Sequence, residues 1–169
     1  MRKEAISAID EAIKANKSYA DEFELGHLPT SPARKLAIVA CMDARLTVEQ
    51  ALGLKTGDAH IIRNAGGIVT EDALRSLIIS HYLLGTQEFM VINHTDCGML
   101  TFKDEDLKKQ LQEKTQTTAV IPETFHAFSD LEKNVKEQVE KIKSHPWMPK
   151  DVTVRGFVYD VREGKLHEV

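Results

Sequence analysis

Four short, mainly apolar runs decide what this chain can fold into. Leu36-Ala37-Ile38-Val39-Ala40, Ala59-His60-Ile61-Ile62-Arg63, Phe89-Met90-Val91-Ile92 and the β-branched stretch Val152 to Tyr159 have strand length and strand composition. Between them lie segments whose apolar residues recur at helical spacing. Residues 4–20 place Ala5, Ile6, Ile9, Ala12 and Ile13 on one helix face. A short helix is expected over Thr47 to Leu54, ended by Gly53 or Gly57. Thr70 is an N-cap ahead of Glu71 and Asp72, with Ala73, Leu74, Leu77, Ile78, His81 and Leu84 inward and Gly85 as the stop. Leu107 and Leu111 mark an exposed helix. Ser129 with Glu132 reads as a capping box for a helix carrying Phe128, Leu131, Val135, Val139 and Ile142, which ends before His145-Pro146. Arg162-Glu163-Gly164-Lys165 is a hairpin turn into a short last strand. Strands alternating with helices predict a three-layer α/β/α sandwich, its central sheet of four mainly parallel strands extended by a short antiparallel C-terminal edge strand.

The 169 residues suit a single domain over 1–169, with no repeat and no low-complexity tract. The formal net charge of −4 argues against nucleic acid and against an anionic membrane surface as partners. No apolar run approaches a bilayer span, and the first residues lack a secretory core, so a cytoplasmic location is expected. In that reducing setting the two cysteines, Cys41 and Cys97, read as ligands or catalytic groups rather than as a disulfide.

Both cysteines stand at strand ends. Cys41-Met42-Asp43-Ala44-Arg45 follows the first run, and His94-Thr95-Asp96-Cys97-Gly98 follows the third. In a parallel α/β sheet, sites form beyond the carboxyl ends of the strands, so the two motifs meet if the first and third strands are neighbours. Two thiolates and an imidazole are a zinc ligand set, and three protein ligands leave the fourth position open, as catalytic zinc requires. The other six histidines, His27, His60, His81, His126, His145 and His167, read as surface or packing residues. Asp43 can bind the ion or act beside it, and Arg45 can hold its carboxylate ionised by a two-pronged pair.

These motifs resemble the β-class carbonic anhydrases. Ala40 to Leu46, Arg63-Asn64-Ala65-Gly66-Gly67 and Asn93 to Met99 are similar to that family over roughly residues 30–169, and most similar to its short, archaeal-like (Cab-type) branch. The resemblance implies one zinc ion per chain on Cys41, His94 and Cys97, with Asp43 and Arg45 as a catalytic dyad. It also implies a substrate pocket beside the backbone of Gly66-Gly67. It implies reversible hydration of carbon dioxide to bicarbonate and a proton, with the ion activating water. It further implies a homodimer or larger homo-oligomer, with the N-terminal helix (about 2–20) at the interface. Ala44 stands where many relatives carry Ser. No counterpart is found for the pocket glutamine of the plant-type enzymes or for the Trp-Arg-Tyr bicarbonate site of some bacterial ones, and Trp147 reads as a packing residue. Two other outcomes stay open: hydrolysis of carbonyl sulfide or carbon disulfide at the same centre, and a non-catalytic zinc protein. A flavodoxin-like nucleotide binder is weaker, because Gly66-Gly67 is too short for a phosphate loop.

Overall fold

The computed structural model of the chain describes residues 6–119 and 121–169. Its elements are α1 (Ala8–Asp21), β1 (Leu36–Cys41), α2 (Val48–Leu52), β2 (Ala59–Asn64), α3 (Glu71–Leu84), β3 (Glu88–His94), α4 (Asp104–Thr115), α5 (Leu131–Ser144), β4 (Thr153–Tyr159) and β5 (Leu166–Glu168). The sheet runs β2-β1-β3-β4-β5. The first four strands are parallel and β5 is antiparallel to β4.

The chain leaves β1 to one side for β2 and returns on the other side for β3. The strand order therefore reverses beside β1, and a crevice opens beyond the carboxyl ends of β1 and β3. The expected neighbourhood of the first and third strands holds, with Val39 opposite Val91 and Ala40 opposite Ile92.

Alternation along the strands divides the core. Ala37, Val39, Phe89, Val91, Val154 and Val158 face α3 and α5, where Leu77, Val135 and Ile142 are also buried. Ile38, Ala40 and Ile92 face the opposite way, with Val48 of α2. Leu36, Ile61, Met90 and Phe157 on that second face are only partly buried. Gly156 lets α5 lie close on β4, since a Cβ there would come within 2.5 Å of Val135 Cγ1 and 2.9 Å of Val139 Cγ2.

The helix caps follow local chemistry. Thr70 Oγ1 accepts the Ala73 N–H at 3.3 Å, and Gly85 closes α3 in the left-handed region at φ 78°. At α5 the cap is Asp130, not Ser129: its extended backbone aims the carboxylate at the Lys133 N–H, 3.0 Å away. That pair replaces the expected Ser129–Glu132 box. Helix α1 begins at Ala8, capped by Ser7, and residues 4 and 5 of the expected helix lie outside the described residues. None of its residues is buried, and Ile9 and Ile13 are 72% and 54% exposed. Trp147 is not a packing residue, being 68% exposed with its ring set edgewise to His145.

Candidate metal centre

β1 ends on Cys41 and β3 on His94, beyond the apolar run Phe89 to Ile92 because His94 still pairs with Tyr159. The chain then has to double back. The Thr95 N–H continues the ladder to Tyr159 O at 2.9 Å, Thr95 Oγ1 accepts the Val161 N–H at 3.1 Å, and Asp96 turns the backbone at φ 56°. Cys97 thereby returns to face Cys41. The ligand atoms of Cys41, His94 and Cys97 lie within 4.8 Å of one another, and all three residues are buried.

The donors are poised for a soft or borderline cation. His94 Nδ1–H donates to Thr95 O at 2.8 Å, which leaves Nε2 with a free lone pair. Among the described residues, Nε2 is the one buried side-chain nitrogen or oxygen without a hydrogen-bond partner. An orphaned buried nitrogen between two sulfurs is costly in an empty protein interior and suits a metal ligand. Sulfur and imidazole donors favour zinc over magnesium or calcium, which take oxygen.

The two thiols are shifted in opposite directions. The Cys97 thiol hydrogen-bonded to it brings Cys41 down to about 4 against the opposing effect of burial, with further help from His94 and the backbone N–H groups of Asp43 and Gly66. Cys97 is pushed up correspondingly, by Cys41 first and by burial second. Burial lowers the His94 value, but the neighbouring Cys41, the Thr95 carbonyl and Asp43 outweigh it, so the net shift is upward. A divalent cation held by Cys41, His94 and Cys97 would take both cysteines as thiolates, so its uptake would release protons.

Asp43 Oδ2 lies 3.7 Å from His94 Nε2, at the rim of the donor set. Arg45 fixes it there: Nε and the backbone N–H donate to Oδ1, each at 2.9 Å, and Nη2 donates to Oδ2 at 2.8 Å. The Arg45 side chain, then its backbone N–H, hold the Asp43 carboxyl well below the usual carboxylate range. Arg45 is itself steadied by Asp96, through Nη1 to Oδ2 at 2.8 Å and Nη2 to the carbonyl at 3.1 Å.

Two further residues hold the first motif. Arg63 donates from Nε to Cys41 O at 3.0 Å and from Nη2 to Asp43 O at 2.6 Å. Gly66 and Gly67 bring backbone close, at φ 84° and 62°, and a Cβ on Gly67 would lie 2.9 Å from Cys41 N. Neither Arg63 nor Asp96 was singled out from the sequence as a site residue. Their signal was position alone: Asp96 sits inside His-x-x-Cys, and Arg63 ends a strand before a glycine turn. His60 and His81 serve packing, with His60 bonded to Ser80 Oγ and Thr30 O and His81 to Thr86 O.

Comparison with known proteins agrees with this geometry. The sequence model of the carbonic anhydrase family matches residues 36–166. Beta-carbonic anhydrase 1 of Mycobacterium tuberculosis is 46% identical over 165 residues, covering 97% of this chain and 99% of that one. Carbon disulfide hydrolase of Saccharolobus solfataricus is 38% identical over 182 residues, covering 95% and 88%. The crystal structure of carbonic anhydrase from Streptococcus mutans superposes with a TM-score of 0.91 at 45% identity, covering 98% and 99%. On this match of sequence, fold and donor arrangement, the chain belongs to the β-carbonic anhydrase family.

Proposed function

We propose that this protein catalyses the reversible hydration of carbon dioxide to bicarbonate and a proton, with zinc held by Cys41, His94 and Cys97. The observation that carries the reading is the Arg45-locked carboxylate of Asp43 at the rim of a buried S, N, S donor set. When bound, zinc supplies a Lewis acid that brings the pKa of water toward neutrality, to about 7 in the well-known case of three histidine ligands.

The residues supply the rest. Cys41 and Cys97 as thiolates add two negative charges to the centre, which makes water there harder to ionise than beside three neutral imidazoles. Asp43 compensates, because an ionised acceptor next to the centre takes a hydrogen bond from the attacking water oxygen and aims its lone pair. Arg45 keeps Asp43 ionised and unable to rotate. The water oxygen bonds to the carbon of CO2, one C=O pair moves onto oxygen, and the released proton passes to solvent buffer. Gly66 and Gly67 let the backbone of their turn lie close against Cys41, and a small linear molecule would sit beside that backbone.

Stopped-flow CO2 hydration, with zinc content measured on the same sample, tests this. Turnover proportional to zinc is expected, and a zinc-loaded protein without turnover rejects it. The similarity to carbon disulfide hydrolases supports one alternative, the same centre acting on carbon disulfide or carbonyl sulfide. Parallel assays on the three gases separate the readings.

The assignment as one domain of a homodimer, in the short Cab-type branch, belongs to the same proposal. It is supported by the motif spelling, by the unburied apolar face of α1 and by the partly covered second face of the sheet. A cytoplasmic setting fits two unpaired thiols. No described helix is long and apolar enough to cross a membrane, and the net charge of −4 disfavours nucleic acid.

A further inference from the structure

A line of buried amides runs from α5 to the glycine turn. Asn93, Asn134 and Gln138 are 0%, 5% and 2% exposed. Gln138 Oε1 accepts the Val69 N–H at 2.9 Å and Lys141 Nζ at 3.1 Å. Gln138 Nε2 donates to Asn134 Oδ1 at 3.0 Å, and Asn134 Nδ2 donates to Asn93 Oδ1 at 2.6 Å. Asn93 Nδ2 then donates to Gly66 O at 2.9 Å and Gly67 O at 3.2 Å.

Both ends of this chain force one polarity. At one end the Val69 N–H and the Lys141 ammonium can only donate, so Gln138 must meet them with its oxygen and send its NH2 onward. At the other end two carbonyls can only accept, so Asn93 must meet them with its NH2. Each link therefore agrees with the next. The held turn packs directly on Cys41: a Cβ on Gly67 would lie 2.9 Å from Cys41 N, and the Gly66 N–H helps to lower the Cys41 thiol. A hydrogen bond to a thiolate withdraws charge from it and weakens its donation to a metal.

We infer that Asn93, Asn134 and Gln138 are positioning residues that set the Gly66 N–H on the Cys41 sulfur and thereby tune the metal centre from helix α5. This rests on the metal reading above. It has a distinctive consequence: reversing the polarity of a distant, isosteric amide should be felt at the metal. Glutamate at 138 offers two acceptors, so Asn134 and then Asn93 must turn over to satisfy it. Asn93 would then set its oxygen against two carbonyl oxygens, and the turn would move off the sulfur.

The test uses the cobalt(II)-substituted protein and its sulfur-to-cobalt charge-transfer band. Gln138→Glu and Asn134→Asp should both shift the band to longer wavelength, because the Cys41 thiolate loses a donor. Gln138→Met imposes no polarity and should leave the band in place while lowering the unfolding midpoint. A native band in both carboxylate variants, or an equal shift in Gln138→Met, overturns the inference. If neither carboxylate variant folds, the native protein loaded with cadmium-113 decides, since a Gly66 amide proton on the sulfur gives a scalar coupling to the metal and its absence rejects the inference. Failure of the native chain to bind cobalt, cadmium or zinc instead rejects the metal reading itself.

Discussion

Arg45 grips both carboxylate oxygens of Asp43, Nε on Oδ1 and Nη2 on Oδ2, in a fork that a lysine ammonium cannot reproduce. The pair is half exposed on the arginine side, so its value lies in aiming a charge rather than in stability.

Asp43→Asn keeps the size of the side chain and removes its charge. It should retain zinc and lose roughly 10²- to 10⁴-fold in kcat, the range for a positioned proton acceptor. Arg45→Ala should keep the charge and lose its aim, for a fall of roughly 10- to 100-fold. Stopped-flow kinetics with metal analysis measures both, and near-native turnover in Asp43→Asn removes the assigned role.

Cys41→Ser replaces a soft donor by a hydroxyl that stays protonated, so the purified variant should hold little zinc. A metal that binds only the folded protein stabilises it by about 2.7 kcal/mol at a hundredfold excess over Kd. A strong chelator should therefore lower the Tm of the native protein and leave that of Cys41→Ser unmoved. An equal chelator effect on both shows that Cys41 is no ligand.

The centre was legible in the sequence because its residues follow strands directly: Cys41 closes one apolar run, and His94 and Cys97 follow another within a single turn. The adjacency of β1 and β3 lay beyond periodicity, since strand order depends on contacts distant in sequence. The cap of α5 was misread because Ser129 and Asp130 are both good caps, and only backbone direction selects Asp130. Asn134 and Gln138 were invisible, because polar residues four apart on a charged helix read as a solvated face. Trp147 misled for the opposite reason: its size suggested burial, and the fold leaves it in solvent.

Helix α1 presents Ile9 and Ile13 to solvent, with Ile6 exposed just before it, and buries nothing. If a second copy covers that face, charging it should dissociate the pair. Ile9→Glu with Ile13→Glu removes the burial of two isoleucines from each copy, about 6–12 kcal/mol per dimer, or roughly four to nine decades in Kd. Light scattering after size exclusion should show a dimer for the native chain and a monomer for the double variant. A dimer in both places the interface elsewhere.

Gly53 and Gly67 share a left-handed backbone, at φ 63° and 62°, but not their surroundings. A Cβ on Gly53 meets nothing within 4 Å, whereas on Gly67 it would meet Asn93 Nδ2 at 2.8 Å, Cys41 N at 2.9 Å and Ile92 O at 3.0 Å. Gly53→Ala should cost only the backbone term, about 1–2 kcal/mol. Gly67→Ala adds overpacking, for a total of about 2–5 kcal/mol. Urea unfolding should rank them in that order, and equal costs show that the turn yields without strain.

Asp104 latches the segment just before Phe128, whose ring packs beside the glycine turn. Its carboxylate accepts Thr124 Oγ1 and the N–H groups of Phe125 at 2.7 Å, Ala127 at 3.0 Å and His126 at 3.3 Å. The next residue, Phe128, puts its ring 3.2 Å from where a Cβ on Gly66 would stand. Burial pushes the Asp104 carboxyl up, but Thr124 and the three N–H groups outweigh it and hold it at about 2. An unfolded aspartate titrates near 3.9, so the ionised form stabilises the fold at every pH above that value, and the contribution drains away as pH falls from about 4 to about 2. Asp104→Asn removes the charge at all pH values. The native protein should exceed it by about 1.5–3 kcal/mol at pH 7, as hydrogen bonds to a charged group do. That margin should stay level from pH 8 to 5 and shrink toward pH 2.5 in parallel urea titrations, where the metal ligands titrate in both proteins and cancel. A margin that persists at pH 2.5 assigns the latch to shape rather than charge.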